Sequence, residues 1–361
     1  MAARSCYIII VFLILASNCH NSNTTSVFDT KDEHHTSTKY VAFILYTVLL
    51  LCGIISNLLM MIVLFVRGNV YSHAFILISL QLIISNFVIF LVQTADILPE
   101  ILRNKSTSEG HQTMWVTHVF PFLRIFAIFS TLHFIFLLTL NRYVTLIFPK
   151  HNAFFESVRL YFLLGLVWLS VFVITTVEFH YCTTRYHVSS LRWKRNCTKQ
   201  PIESTNIFLS FLYVWTIVLP VAIFVMYIMI FYNIQRKRRS ILDINQIQKT
   251  PKMYGGHVPY TVSTGNYERI MLIQAAIICG ATEISILIYN FLPWAVLKIF
   301  GQKANIPLGI FVNCCTILYR MLLPTIYFIY DKQARNIVKH QFLRLRLRFS
   351  IEKITVRVQM K

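Results

Sequence analysis

The sequence predicts an all-α membrane protein: a seven-transmembrane helix bundle, N-terminus outside, C-terminus cytoplasmic, with an amphipathic helix after the seventh span. Three observations carry this. Of 361 residues, 56% are hydrophobic and only 13% charged, about half the charged share of soluble chains. The apolar residues gather into runs long enough to cross a hydrocarbon core of about 30 Å. The loops between the runs carry charge asymmetrically. This composition excludes a disordered chain, a collagen-like chain and an ordinary cytosolic enzyme. The net charge of +20 resembles a nucleic-acid signal, but the basic residues stand in loops beside apolar runs, where they read first as topology signals. No nucleic-acid partner is expected.

Arg4, the apolar stretch Cys6 to Ala16 and then Ser17, Asn18 and Cys19 read as a signal peptide over 1–19. An N-terminal segment, 20–39, precedes the transmembrane domain, 40–330. Its seven segments are 40–66, 74–98, 114–140, 160–179, 206–232, 270–298 and 305–330, and a basic tail occupies 331–361. Ten-residue alternating strands, as a barrel needs, are absent. One alternate set of loops, with the tail, carries +15; the other set, with the N-terminal segment, carries +4. The excess of Lys and Arg places the tail inside and the N-terminus outside. Three glycosylation acceptors, Asn23, Asn104 and Asn196, all fall in the outer set.

Polar residues within a span normally face the bundle interior. In segment 1, Gly53 and Asn57 share a face one turn apart; the glycine admits a close neighbour and the amide can bond across helices. In segment 7, Asn313, Thr316, Arg320 and Tyr327 form a polar face. Pro324 removes the backbone donor that would reach Arg320, which is tolerated only where neighbours satisfy the freed carbonyl. Pro220 and Pro293 interrupt segments 5 and 6 in the same way, as hinges or fixed kinks.

Four charges are placed within spans: Asp96, Arg124, Glu283 and Arg320. Arg124 precedes Arg142 by eighteen residues, roughly 27 Å of helix, so it can meet Asp96 in the outer third. Glu283 and Arg320 can meet deeper. Each pair is either a structural lock or part of a ligand or switch site. His133 reads as a hydrogen-bonded core histidine, and Cys52, Cys279, Cys314 and Cys315 as packing residues. Cys182 and Cys197 share one outer loop and can bridge. No H-E-x-x-H, G-x-S-x-G, P-loop or C-x-x-C pattern is present, so no catalytic residue, cofactor or metal is expected.

Taken in order, Gly53…Ser56-Asn57, Asn141-Arg142-Tyr143, Pro149, Trp168, Pro220, Pro293 and Leu323-Pro324-Thr325-Ile326-Tyr327 resemble the motif series of rhodopsin-like (class A) G-protein-coupled receptors, one motif per helix over about 40–343. The departures are as telling. Asn141 replaces the acid before the motif arginine, Asn86 stands for the second-helix aspartate, Phe291 for the tryptophan before the sixth-helix proline, and Leu323 for the seventh-helix asparagine. No cysteine near residue 117 is available for the usual bridge, so Cys182 pairs with Cys197 or with Cys19. Together with the phrase Glu268-Arg269-Ile270-Met271-Leu272-Ile273-Gln274, these features resemble the divergent nematode chemosensory receptors of the serpentine, srx-type branch.

The resemblance implies a plasma-membrane receptor, in sensory neurons or cilia, that binds an extracellular small molecule or peptide and catalyses nucleotide exchange on a heterotrimeric G protein. It places the ligand near Asp96 and Arg124. It places coupling and the switch at Asn141, Arg142, Tyr143, Pro324 and Tyr327. Weaker restraint on Arg142, with Asn141 before it, implies higher basal signalling. Arg236-Lys237-Arg238-Arg239 would face the G protein or anionic lipid. Val338, Phe342, Leu345 and Phe349 share one face of a membrane-surface helix. Oligomeric state is not read. The competing class is a transporter or channel using Asp96, Arg124, Glu283 and Arg320, which the absence of an internal repeat disfavours.

Overall fold

The computed structural model describes residues 30–66, 72–102, 118–155, 157–187, 190–197, 202–247, 277–278, 280–341 and 343–344. The signal peptide, most of the N-terminal segment, Asn23, Asn104, Cys279, Phe342, Leu345 and Phe349 lie outside them. Helix α1 is Thr30–Val66. Helix α2 is His73–Val92; it runs on through a π-turn, Gln93–Ile97, and a last turn, Leu98–Leu102. Helix α3 is Phe120–Ile147 and α4 is Ser157–Tyr181, joined by a 3₁₀ turn at Pro149–Phe155. A hairpin follows, β1 (Thr183–His187) pairing antiparallel with β2 (Arg192–Asn196). Helix α5 is Ile202–Ile247. Helix α6 has two pieces, Gly280–Asn290 and Leu292–Phe300, bent by 46°. Helix α7 is Asn305–Tyr330, and a short helix α8 occupies 332–341.

Six of these helices are long and apolar enough to span a membrane, and the bent α6 makes seven if its pieces form one span. The bend has its cause in the sequence. Pro293 has no N–H for the carbonyl one turn back and its ring crowds that carbonyl, so the helix breaks at Phe291 and restarts at Leu292. Pro220, by contrast, is carried inside an unbroken α5.

Burial ranks the spans. In α3, 72% of the most apolar stretch is buried, against 22% in α4, so α3 is the axial helix and α4 presents most of its face outward. One large apolar cluster gathers about α3, with Ile83, Phe134 and Tyr327 in it, and another lies at the hairpin end between α1, α2 and α7, around Tyr46, Phe90 and Ile317. Small residues set the closest approaches. A Cβ on Gly53 would lie 2.8 Å from the Phe90 ring, so α2 seats an aromatic against α1 where only glycine leaves room.

Polar bonds then fix the helices pairwise. Trp168 donates to Gln81 (3.1 Å), joining α4 to α2, and Ser130 to Ser85 (2.9 Å), joining α3 to α2. Trp215 of α5 donates to His133 Nε2 (3.3 Å), while His133 Nδ1 lies 2.8 Å from the Phe129 carbonyl. A carbonyl can only accept, so Nδ1 bears the proton and Nε2 is the acceptor; His133 is the hydrogen-bonded core histidine the sequence indicates.

The end of α7 is capped. Asp331 accepts from the backbone N–H of Gln333 (2.8 Å) and Ala334 (3.2 Å), starting α8. Arg335 donates to the carbonyls of Phe328 (2.7 Å) and Ile329 (2.6 Å), which have no helical partner at a C-terminus. Ala334 is fully buried, so α8 packs back on the bundle.

Candidate functional site

At the hairpin end the chain after α4 folds back over the bundle. A disulfide, Cys182–Cys197, closes the open end of the hairpin. Its tip is held differently. Leu191, in the left-handed region at φ 47°, is buried between α1 and α7, and its carbonyl accepts from Asn313 Nδ2 at 2.7 Å. A Cβ at Gly309 would stand 2.2 Å from the Ser190 carbonyl oxygen, so the glycine is what lets the tip reach α7. Between these anchors the cross-strand pair Tyr186 and Trp193 meets edge-to-face at 5.6 Å. Burial, with Asp96 and Glu100 nearby, pushes the Tyr186 hydroxyl well above the ordinary phenol range.

Under the hairpin lie two adjoining cavities of about 650 and 430 Å³. Arg124 of α3 lines both. Its guanidinium stacks under the Trp193 ring at 4.7 Å and donates to Tyr289 Oη at 3.0 Å. The larger chamber descends between α3, α5, α6 and α7 to Arg320 and Tyr319. The smaller extends under β2 toward Gln93, Asn313 and Trp294.

The proposed meeting of Asp96 with Arg124 does not occur. Arg124 turns toward α6 and the hairpin, where two aromatic rings receive it, and no ion pair joins it to Asp96. Asp96 is buried on the π-turn, which advances it by the one residue such a turn inserts. The ion pair at this level is a different one: Arg195 Nη2 lies 2.9 Å from Glu178 Oε1. Glu178 is fully buried. The four charges placed within spans from sequence leave out Glu178, which stands at the very edge of the expected segment 160–179; the helix continues to Tyr181, making it a further intramembrane charge. Its position one turn from the helix end, beside a basic hairpin, was the signal available.

The second expected pair, Glu283 with Arg320, is also not formed. Glu283 Oε1 is buried with no hydrogen-bond partner among the described residues. Arg320 turns instead to α2 and α3, donating to Asn86 Oδ1 at 3.3 Å and to Thr131 Oγ1. Its carbonyl, which Pro324 leaves without a helical donor, accepts from Asn57 Nδ2 and Asn86 Nδ2, each at 3.3 Å. Asn86 also donates to Asn57 Oδ1 at 3.1 Å, and Asn57 to the Gly53 carbonyl at 2.9 Å. Asn57, Asn86 and Arg320 therefore form one node linking α1, α2, α3 and α7, and Glu283 stands apart from it.

At the other end of α3, Asn141 is buried. The Arg142 guanidinium lies over the Phe75 ring of α2 at 5.4 Å. Tyr143 donates to Met229 of α5 at 3.5 Å and meets Phe148 edge-on. Tyr327 is buried in the large cluster beside Pro324. Asn196 is exposed at the end of β2.

The comparisons with known proteins agree with this architecture. The sequence model of the family described as Serpentine type 7TM GPCR chemoreceptor Srx matches residues 47–253, from α1 to just beyond α5, and so covers Arg124, the Asn141-Arg142-Tyr143 motif and the whole hairpin. A comparison with curated proteins finds no match. Spanning helices in receptor order, the motif series along them and the family match over more than half the chain make this a member of the Srx family of seven-transmembrane G-protein-coupled chemoreceptors, and not an enzyme.

Proposed function

We propose that the chain senses an extracellular ligand in the two chambers beneath the hairpin and passes that event to a heterotrimeric G protein at the Arg142 end. The supporting observation is the larger cavity of about 650 Å³, bounded by α3, α5, α6 and α7 and carrying Arg124 in its wall. A volume of this size suits a small organic ligand. Asp96 belongs to the same end of the bundle, as a buried neighbour of the hairpin rather than as the partner of Arg124. Family membership sets aside the transporter or channel reading of the four charges.

In this proposal the hairpin, Asn196 and the N-terminal segment are outside, with glycans on Asn23, Asn104 and Asn196. Arg142, the basic end of α5 and the tail face the cytoplasm of a plasma membrane, in sensory cilia. The ligand acts by binding one helix packing better than the other. Pro324 and Tyr327, at the foot of α7, are where the two packings differ, and Asn141, Arg142 and Tyr143 carry the difference to the G protein. Arg142→Ala tests the coupling half: at equal surface level, nucleotide exchange on a co-reconstituted G protein should fall at least tenfold. Unchanged exchange would remove Arg142 from the role.

A further inference from the structure

The charges around the two chambers are unbalanced. Among the described residues the larger is lined by Arg124, Arg195 and Arg320 and by one carboxylate, Glu178. The smaller is lined by Arg124, Arg192 and Arg195 and by no carboxylate among the described residues. Much of this cationic capacity is already committed. Arg195 holds Glu178, Arg320 holds Asn86 and Thr131, and Arg124 holds Tyr289. Arg192 is different: its Nη1 is buried and donates to no acceptor among the described residues. Gln93, in the wall of the same chamber, has a buried Oε1 that receives no donor among the described residues. A buried donor without an acceptor is costly, and a guanidinium fork is shaped for a planar or tetrahedral oxyanion.

The larger chamber is mostly apolar in its walls, with Ile125, Phe129, Leu132, Leu209 and Leu212 among them. It meets the smaller one at Arg124. We infer that the ligand is amphipathic and anionic. Its oxyanion head (a carboxylate, sulfate or phosphate ester) sits in the smaller chamber against Arg192, with Arg124 and Arg195 beside it. Its apolar body passes Arg124 into the larger chamber. A cationic amine is the ligand these chambers disfavour, since the one lining carboxylate is held by Arg195. The inference rests on the reading of the chambers as the ligand site, but not on coupling to a G protein.

The test is therefore binding to the purified full chain in neutral phosphatidylcholine nanodiscs, with no G protein present. The probes are five molecules on one body: 4-phenylbutyrate, 4-phenylbutyl sulfate, 4-phenylbutyl phosphate, 4-phenylbutanol and 4-phenylbutylamine. At about 5 mM, a probe that binds the folded receptor should raise its Tm by roughly 2–4 °C. At least one oxyanion should do so, and the three acid arms rank the head groups. The alcohol, the amine and inorganic phosphate or sulfate alone should not. Arg192→Gln should abolish the acid-specific rise, its own unliganded Tm reporting that it folds. If that variant does not fold, the probe series on the parent chain still decides. An equal rise with the alcohol, a rise with the amine, no rise with any acid, or a rise retained in Arg192→Gln would each overturn the assignment. Acid binding without nucleotide exchange would leave it standing and count against the coupling proposal alone.

Discussion

Gly309 shows how much one atom can decide. Alanine there would drive a methyl group into the backbone of the hairpin tip, which cannot rotate away as a side chain could. Overpacking of this kind costs about 1–3 kcal/mol. Gly309→Ala should lower the Tm of the purified protein by several degrees and loosen the tip, seen as faster hydrogen exchange at Ser190 and Leu191. An unchanged Tm would mean that the tip is not seated on α7. Asn141 supports a second residue-scale prediction. If the neutral amide leaves Arg142 weakly restrained, Asn141→Asp should lower basal nucleotide exchange; equal basal exchange would detach basal activity from that position. Single residues were also where the sequence was read furthest. Asn57 and Arg320 were placed on inward faces from spacing, because an intramembrane polar group has few alternatives, and Asn86 from the family resemblance. The partners of Arg124 and Arg320 were not legible, since a long side chain chooses among all neighbours within its reach and sequence position fixes only its root.

Among the elements, the hairpin was the least legible. Its strands are basic and exposed on one side, so nothing in their pattern distinguishes them from a loop. What makes them strands is tertiary: a disulfide at one end, α7 at the other and an aromatic cross-strand pair between. Replacing both Cys182 and Cys197 by Ser should therefore not release the tip. The strand ends should open while Leu191 stays buried, and exchange protection should fall near Thr183 and Asn196 first. Uniform loss of protection would contradict two separate anchors. The hairpin also carries a pH dependence. His187 is held below its ordinary value of 6.5 by burial and by the charges of Lys194 and Arg185. As pH falls through 6.5 the unfolded segment takes up a proton that the folded hairpin takes up only at lower pH, so acidification weakens the hairpin in the window just below 6.5. The effect is small, because the ring is exposed and solvent screens it. His187→Gln should flatten the pH dependence of hairpin exchange between pH 7 and 5; an identical profile would exonerate His187.

For the whole molecule, span count and helix order were readable because hydrocarbon leaves a backbone only helices or closed barrels. The two chambers were not, since a cavity is defined by what fails to touch. Orientation rests on loop charge and sequons. Tags placed after the signal region and at Lys361 give the check: antibody on intact cells should stain the first alone, and a glycosidase should shift the mobility of the parent chain but less so that of Asn196→Gln. C-terminal staining would invert the assignment and with it the side from which the chambers are reached.

The Arg320 carbonyl ties the fates of three residues on three helices. Two side-chain amides serve it because Pro324 cannot. Pro324→Ala would return a backbone N–H to that carbonyl, and the amides of Asn57 and Asn86 would then be redundant there. Asn57→Ala should thus be less damaging in the Pro324→Ala background than in the parent chain, with a coupling energy on the order of 1 kcal/mol. The order of loss therefore matters: losing the proline first makes both amides dispensable at that carbonyl, while losing one amide first leaves it to the other alone.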